Sequence, residues 1–274
     1  MTGIIIKNIS NDYTVLSNNK EYICKPRGIF RNQNTTPLVG DIVEFDEKNN
    51  YILRINKRKN ELIRPPIANV DYAVIVTSVK KPELDTYLLD KTLTIISYNN
   101  IIPVIYFTKI DLLNEKELEK INEIINYYKK IYKVAITKEE LLNIIKNKTV
   151  VLTGQSGAGK STLLNKLNPD LNLETNEISE ALGRGKHTTR HTELHNIGSS
   201  LIADTPGFSK IDFIDMTNID IRDNMEEMFK YLNKCKYKDC MHINEDNCEV
   251  IKLYKEGIIL PSRYQNYKRF IERK

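Results

Sequence analysis

The segment from Thr149 to Leu167 constrains this chain more than any other. Thr149-Val150-Val151-Leu152-Thr153 is a short apolar run of strand type. Gly154-Gln155-Ser156-Gly157-Ala158-Gly159-Lys160-Ser161 follows it with the spacing G-x-x-x-x-G-K-[ST], and Thr162-Leu163-Leu164-Asn165-Lys166-Leu167 continues as a helix-forming stretch. A strand, a glycine loop and a helix in that order form a phosphate-binding loop. The glycines let backbone N–H groups converge on phosphate oxygens at the positive end of the helix. In that reading Gly154 to Thr162 bind the phosphates, Lys160 reaches the β- and γ-phosphates, and Ser161 offers its hydroxyl to Mg²⁺.

The surroundings extend the same architecture. Val70–Val76, Ile101–Phe107, Tyr132–Ile136 and Leu201–Asp204 are short apolar runs. Glu83–Tyr98, Glu115–Tyr128 and Lys138–Ile145 lie between them with helical apolar spacing. Such alternation predicts an α/β domain with a largely parallel sheet covered on both faces. Ligands in such sheets sit at the carboxyl ends of strands, which draws two motifs into the site. Asp204-Thr205-Pro206-Gly207 ends one strand; Asp204 would hold the Mg²⁺ shell, and the Gly207 N–H would face the γ-phosphate. Thr108-Lys109-Ile110-Asp111 ends another. Asp111 would accept from guanine N1–H and N2–H₂, a donor pair adenine lacks, while the stem of Lys109 covers the base. The alternative for Asp111 is an ordinary helix N-cap.

The two ends differ from this centre. Residues 1–62 read as five short strands separated by Asn, Asp, Gly and Pro clusters, which suits a small barrel of the OB type or an SH3-like one; Arg64-Pro65-Pro66 then reads as a linker. Cys235, Cys240, His242 and Cys248 have the spacing C-x₄-C-x-H-x₅-C, a full tetrahedral donor set for one structural Zn²⁺. Cys24, alone in a barrel strand, reads as a small buried residue. Tyr254, Arg263, Tyr264, Tyr267, Lys268, Arg269, Phe270 and Arg273 mix rings and cations near the C-terminus. Tyr264, Tyr267 and Phe270 are expected to pack, and Arg263, Lys268, Arg269 and Arg273 to face RNA. The overall charge is +5, unevenly spread. Residues 1–66 hold 11 basic and 7 acidic side chains, and residues 249–274 hold 7 and 3, while the centre is acidic. Basic ends suit a polyanionic partner. No apolar run approaches the roughly 18 residues of a membrane span, and the N-terminus does not read as a signal peptide. A cytoplasmic protein with reduced cysteines and no membrane partner is expected.

The order of motifs is the final clue: base reader at 108–111, phosphate loop at 154–161, metal aspartate at 204. Ordinary small GTPases place the phosphate loop first. The chain therefore resembles a circularly permuted GTPase. With a barrel before it and a Cys/His module after it, it resembles the RsgA family of ribosome small subunit-dependent GTPases. Val39-Gly40-Asp41, Ile67-Ala68-Asn69-Val70-Asp71 and Gly183-Arg184-Gly185-Lys186-His187-Thr188-Thr189 also carry the likeness.

The resemblance implies an OB-fold barrel over residues 1–66, a permuted GTPase domain over 67–214 and a zinc-binding helical domain over 215–274. It implies a monomer that binds GTP and GDP and acts late in assembly of the small (30S) ribosomal subunit. Barrel and zinc module would hold rRNA, and hydrolysis would time release. Gly183–Arg190 would be the first switch, Thr188 and Thr189 sensing the γ-phosphate, Thr189 adding to the Mg²⁺ shell and His187 positioning water. His191 and His195 read as surface or structural.

Three departures stand out. Thr108 replaces the usual Asn of N-K-x-D. Phe208 stands where other GTPases keep a water-positioning Gln. The late base loop, expected near Val134-Ala135-Ile136-Thr137, is barely recognisable. The readings that compete are a P-loop kinase or ATPase, an RNA-binding scaffold with a structural nucleotide, and a permuted GTPase of the large subunit.

Overall fold

Alternating burial along the first 55 residues curls five strands into a closed barrel. β1 (Thr2–Ile9), β2 (Asp12–Ser17), β3 (Lys20–Pro26), β4 (Ile42–Asp46) and β5 (Tyr51–Ile55) follow one another in sequence. Around the barrel the order is β1-β2-β3-β5-β4. β3 and β5 pair in parallel through Lys25↔Tyr51 and Pro26↔Ile52, and every other pair is antiparallel. This is a five-stranded Greek-key closure of the OB type. Ile5, Tyr13, Val15, Cys24, Val43, Phe45 and Ile52 fill the interior, and burial pushes the Cys24 thiol up from its usual value.

This computed structural model describes residues 1–28, 30, 35–62, 65–169, 192–204 and 212–273. A two-stranded ribbon, β6 (Glu61–Leu62) with β7 (Ile67–Ala68), leads out of the barrel. The chain then runs β8 (Tyr72–Ser78), α1 (Thr86–Tyr98), β9 (Ile102–Thr108), a 3₁₀ turn at Ile110–Leu112, α2 (Glu115–Lys129) and β10 (Lys133–Ala135). α3 (Lys138–Ile145), β11 (Thr149–Thr153), α4 (Lys160–Leu167), β12 (Leu194–Ile197) and β13 (Ser200–Asp204) follow. The sheet order is β10-β9-β8-β11-β13-β12. β10 pairs with β9 and β11 with β13 in parallel, as the apolar runs predict. β12 is antiparallel to β13. It was not among the expected strands, because Leu194-His195-Asn196-Ile197 is too short and too polar to announce itself. Four helices close the chain: α5 (Asn218–Asp223), α6 (Glu226–Leu232), α7 (Glu249–Lys255) and α8 (Pro261–Ile271). Among the described residues no helix is long and apolar enough to cross a membrane.

Contacts divide the chain into two units. One comprises Met1–Val74, Leu142–Thr153 and Gly159–Ser209; the other comprises Ile75–Leu141, Gly154–Ala158 and Lys210–Lys274. In the first, the two small sequence motifs near the barrel prove to be structural. Gly40 has φ +89°, and a Cβ there would lie 2.0 Å from the Ala68 carbonyl oxygen, so only glycine fits. Asn69 donates from Nδ2 to Gly40 O at 3.0 Å and accepts from Lys59 N at 3.0 Å. Asp41 is fully buried and takes Nε and Nη2 of Arg58, each at 2.7 Å. Asp71 accepts from Thr149 N at 2.8 Å, which ties the barrel exit to the strand that feeds the glycine loop.

Candidate nucleotide and metal sites

β11 ends at Thr153, and the chain turns through Gly154 (φ +136°), Gly157 (φ +74°) and Gly159 (φ +97°) before α4 begins at Lys160. These left-handed angles are the conformational reason for glycine. At Gly154 space adds to it, since a Cβ would lie 2.1 Å from Val76 O. Lys160, Ser161 and Thr162 form the first turn of α4, where backbone N–H groups lack intrahelical partners. The strand–loop–helix of the sequence motif is therefore present. Asp204 ends β13, with its backbone in register with Leu152 of β11. This puts it on the strand next to the one that feeds the glycine loop.

The base-reading loop lies at the end of β9, and within the second unit it is braced to the phosphate loop. Thr108 donates its hydroxyl proton to Ala158 O at 2.7 Å. Lys109, itself left-handed at φ +62°, donates from Nζ to Gly157 O at 2.8 Å and to Lys81 O. Thr108, which the sequence marks as an altered base contact, thus fixes a phosphate-loop carbonyl. Asp111 lies exposed in the 3₁₀ turn. The N-cap of α2 is Asn114, in a capping box with Glu117. Asp111 is therefore not the cap of α2, the bland alternative for this residue. The loop after β10, where a second base contact is expected, is held by Glu140, whose carboxylate accepts from Ile136 N at 2.8 Å and Thr137 N at 3.2 Å. His187, Thr188, Thr189, His191, Gly207 and Phe208 lie outside the described residues. His195 sits on β12.

The Cys/His spacing does bring its four residues together. The ligand atoms of Cys235, Cys240, His242 and Cys248 all lie within 4.8 Å of one another. Cys235 Sγ is 3.9 Å from Cys248 Sγ, and His242 Nδ1 is 3.3 Å from Cys248 Sγ and 3.6 Å from Cys235 Sγ. Tetrahedral zinc with bonds of about 2.3 Å to sulfur and 2.0 Å to nitrogen would span edges of about 3.5–3.8 Å, so the residues fit that ion. His242 Nε2 lies 3.1 Å from Met228 O. Donation there leaves Nδ1 as the free ligand atom, the outer-shell arrangement of a metal-binding histidine. Burial holds His242 neutral by lowering its pKa to about 4 and pushes the Cys240 and Cys248 thiols up. Thiolates there require a neighbouring cation. Glu245 shapes the loop by accepting from the backbone N–H groups of Met241, Ile243 and Asn244. Tyr264 and Tyr267 donate to His242 O at 2.8 Å and Met241 O at 2.7 Å. Tyr264, Tyr267 and Phe270 are buried in the core of this region, as expected.

Arg263 corrects the sequence reading. It is not an RNA-facing cation but a fully buried one. Nη1 donates to Asp90 Oδ1 at 2.7 Å, Nε and Nη2 reach Glu227 at 3.0 and 2.9 Å, and Nη2 reaches Tyr132 Oη at 2.7 Å. Tyr128 and Asn266 donate to Asp90, and Tyr127 donates to Glu227. Two carboxylates share one guanidinium. Burial raises Asp90 despite its partners. Burial also works against Glu227, but the facing Arg263 outweighs it and holds Glu227 below the usual range. Arg269 stays exposed but lies 4.1 Å from the Tyr87 ring centre. Arg273 donates to Met216 O at 2.6 Å and lies 4.7 Å from the Phe213 ring centre. Lys252, Lys255, Arg269 and Arg273 remain exposed, and Lys268 is half-buried.

A barrel of OB order, a phosphate loop behind the base reader in sequence, and a Cys₃His cluster after both define a circularly permuted GTPase with a zinc-type module. The family model described as RsgA GTPase matches residues 55–214, and the RsgA N-terminal domain matches residues 2–52. The small ribosomal subunit biogenesis GTPase RsgA 2 of Oceanobacillus iheyensis is 47% identical, with 98% of this chain and 96% of the relative covered. The corresponding GTPase of Enterococcus faecalis is 44% identical over 99% of this chain and 94% of its own. Among solved structures, the circularly permuted GTPase YloQ superimposes with a TM-score of 0.83 at 37% identity, covering 98% of this chain and 93% of that one. YjeQ from Thermotoga maritima gives 0.82 at 33%, covering 100% and 99%. The chain belongs to the RsgA GTPase family.

Proposed function

We propose that this GTPase acts as a late assembly factor of the small ribosomal subunit, binding rRNA through its barrel and zinc module and leaving on GTP hydrolysis. The observation that carries the reading is the brace between the base reader and the phosphate loop. Thr108 and Lys109 grip the carbonyls of Ala158 and Gly157, so the motif that would read guanine holds the glycine turn that opens the phosphate motif. The name borne by full-length relatives supplies the ribosomal partner.

In this reading Asp111 selects guanine, residues Gly154 to Thr162 cradle the phosphates and Lys160 neutralises the β- and γ-oxygens. Ser161, Asp204 and Thr189 surround Mg²⁺, which would offset charge between the β- and γ-phosphates. Gly207 and the switch residues Thr188 and Thr189 sense the γ-phosphate. His187 positions the attacking water, a role for which the imidazole side chain is chemically suited. Cys235, Cys240, His242 and Cys248 bind structural Zn²⁺. The functional division is barrel 1–66, GTPase domain 67–214 and zinc domain 215–274, in a cytoplasmic monomer.

GTP turnover measured with no ribosome, with small subunits and with large subunits tests the proposal. Stimulation by small subunits alone is expected; equal stimulation by both, or none, would overturn it. His187→Ala should keep GDP affinity and lose most of the stimulated turnover.

A further inference from the structure

Apart from the exposed cations of the C-terminal helix, a second group of cations and rings is open to solvent. The segment Phe229-Lys230-Tyr231-Leu232-Asn233-Lys234-Cys235-Lys236-Tyr237-Lys238 holds four lysines and no acid. It runs from the last turn of α6 into the first zinc-type ligand. Phe229 and Lys230 face solvent on α6, and Asn233, Lys234, Lys236, Tyr237 and Lys238 continue that exposed surface. Phe229 is 54% exposed and Tyr237 42%. Both rings therefore offer apolar area and a π face to solvent, in the same short segment as the four lysines. Among the described residues no carboxylate forms an ion pair with any of the four ammonium groups. Three of the lysines lie over rings instead. Lys230 and Lys234 are 5.5 and 5.4 Å from the Tyr231 centre, and Lys236 is 5.1 Å from the Tyr237 centre.

From this arrangement we infer that residues 229–238 form a platform for single-stranded RNA, with unstacked bases on Phe229 and Tyr237 and phosphates against Lys230, Lys234, Lys236 and Lys238. The inference deepens the proposed function and rests on it for the source of the RNA. The chemistry selects this occupant. An acidic peptide would match the lysines but leave two open aromatic faces without a planar partner. A duplex keeps its base faces stacked inside and offers phosphates, 2′-hydroxyls and base edges, none of which is a planar partner for a ring. Open rings interleaved with unpaired lysines match a strand that presents both base faces and phosphates. Tyr231, half-buried between two lysines, holds their ammonium groups near the rings without itself being open for stacking. The platform also contains Cys235, so a metal bound to the Cys₃His cluster would fix the segment's course.

The test uses the full-length, zinc-loaded protein with a fluorescent 12-nucleotide single-stranded RNA and the same strand in a duplex. Two variants are compared with the parent: Phe229→Ala with Tyr237→Ala, and Lys230, Lys234, Lys236 and Lys238 all →Gln. All six side chains are exposed, so zinc content and GDP affinity should be unchanged and serve as controls of folding. The ring variant should lose at least about tenfold in single-strand affinity, given the worth of base–aromatic stacking, and little for the duplex. The lysine variant should lower the slope of log affinity against log salt by up to about 3. Single-strand binding equal to the parent in both variants would overturn the platform. So would a loss confined to the lysine variant, or displacement of the RNA by polyglutamate that depends on Phe229. Stimulation of parental GTP turnover by small subunits, measured alongside, reports on the ribosomal function separately. Its absence with the ring effect intact would sink that function and leave the platform standing.

Discussion

Replacing Arg263 by methionine removes the one cation from a buried cluster that holds two carboxylates. The guanidinium makes hydrogen bonds of 2.7 Å to Asp90, 2.9 and 3.0 Å to Glu227 and 2.7 Å to Tyr132, and its side chain has no exposed surface. Breaking a buried pair by removing one partner costs about 3–5 kcal/mol, since the charge left behind has neither water nor a counterion. That is a large share of the roughly 5–15 kcal/mol that stabilises a domain. At about 2–4 °C per kcal/mol, thermal unfolding should fall by roughly 6–20 °C. Methionine is close to arginine in reach and packs without a charge, so the loss reports electrostatics more than a cavity. The measurement is calorimetric unfolding of parent and variant at neutral pH with zinc present. A second variant adds Asp90→Leu and Glu227→Leu. Because an apolar replacement of a whole buried ionic cluster is often neutral or stabilising, the triple variant should recover most of the loss. A single variant that unfolds within 2 °C of the parent, or a triple variant less stable than the single one, would refute the reasoning.

The same cluster gives a pH dependence of known sign. Glu227 is held below its usual value, so its contribution is complete above an unfolded pKa of about 4.3 and fades as pH falls through the depressed value. Asp90 is raised, so its contribution is lost as pH rises through the folded value; Asp90→Asn should flatten that limb in unfolding curves. Thr108→Val deletes the hydroxyl bond to Ala158 O, worth about 0.5–1.5 kcal/mol. GDP affinity, measured by titration calorimetry, should weaken by roughly two- to tenfold, and an unchanged affinity would remove Thr108 from the brace. Cys248→Ser should lower bound zinc from one ion per chain and reduce helical circular dichroism, because α7 begins at the residue after that ligand. Full retention of zinc would exclude Cys248 as a ligand.

The sequence made the local pieces legible. α3 and β11 coincide with their expected spans of Lys138–Ile145 and Thr149–Thr153, because each is a short patterned run bounded by turn residues. The Cys₃His cluster was equally readable, since thiols at close spacing converge only in a few ways. Arg263 was not, because nothing near it in sequence shows the acids it meets. Its partners lie 36 and 173 residues away. The one local hint is Asp90 itself, an acid beside Leu89 on the inner face of α1, where every other buried residue of the helix is apolar or a threonine. Thr108 shows a similar limit. The departure from N-K-x-D marks an altered base contact, but nothing in the motif shows that the hydroxyl meets a backbone carbonyl 50 residues away. A motif states which residue type is unusual, not which neighbour makes it useful.

The distance between Asp90 and Arg263 also sets an order in time. A chain is made from its N-terminus, and Asp90 is synthesised 173 residues before the cation that neutralises it. At about 5–20 residues per second that interval is roughly 10–35 s. For all of it α1 carries an acid with no place in a dry interior, so the helix has reason to stay open to solvent. The helix that carries Arg263 should therefore act as a closing signal for the nascent protein: the unit holding the base reader should settle only once α8 has been made. Chains arrested at residue 260 should remain protease-sensitive in α1 and α2, and protection equal to the full-length protein would show that folding does not wait.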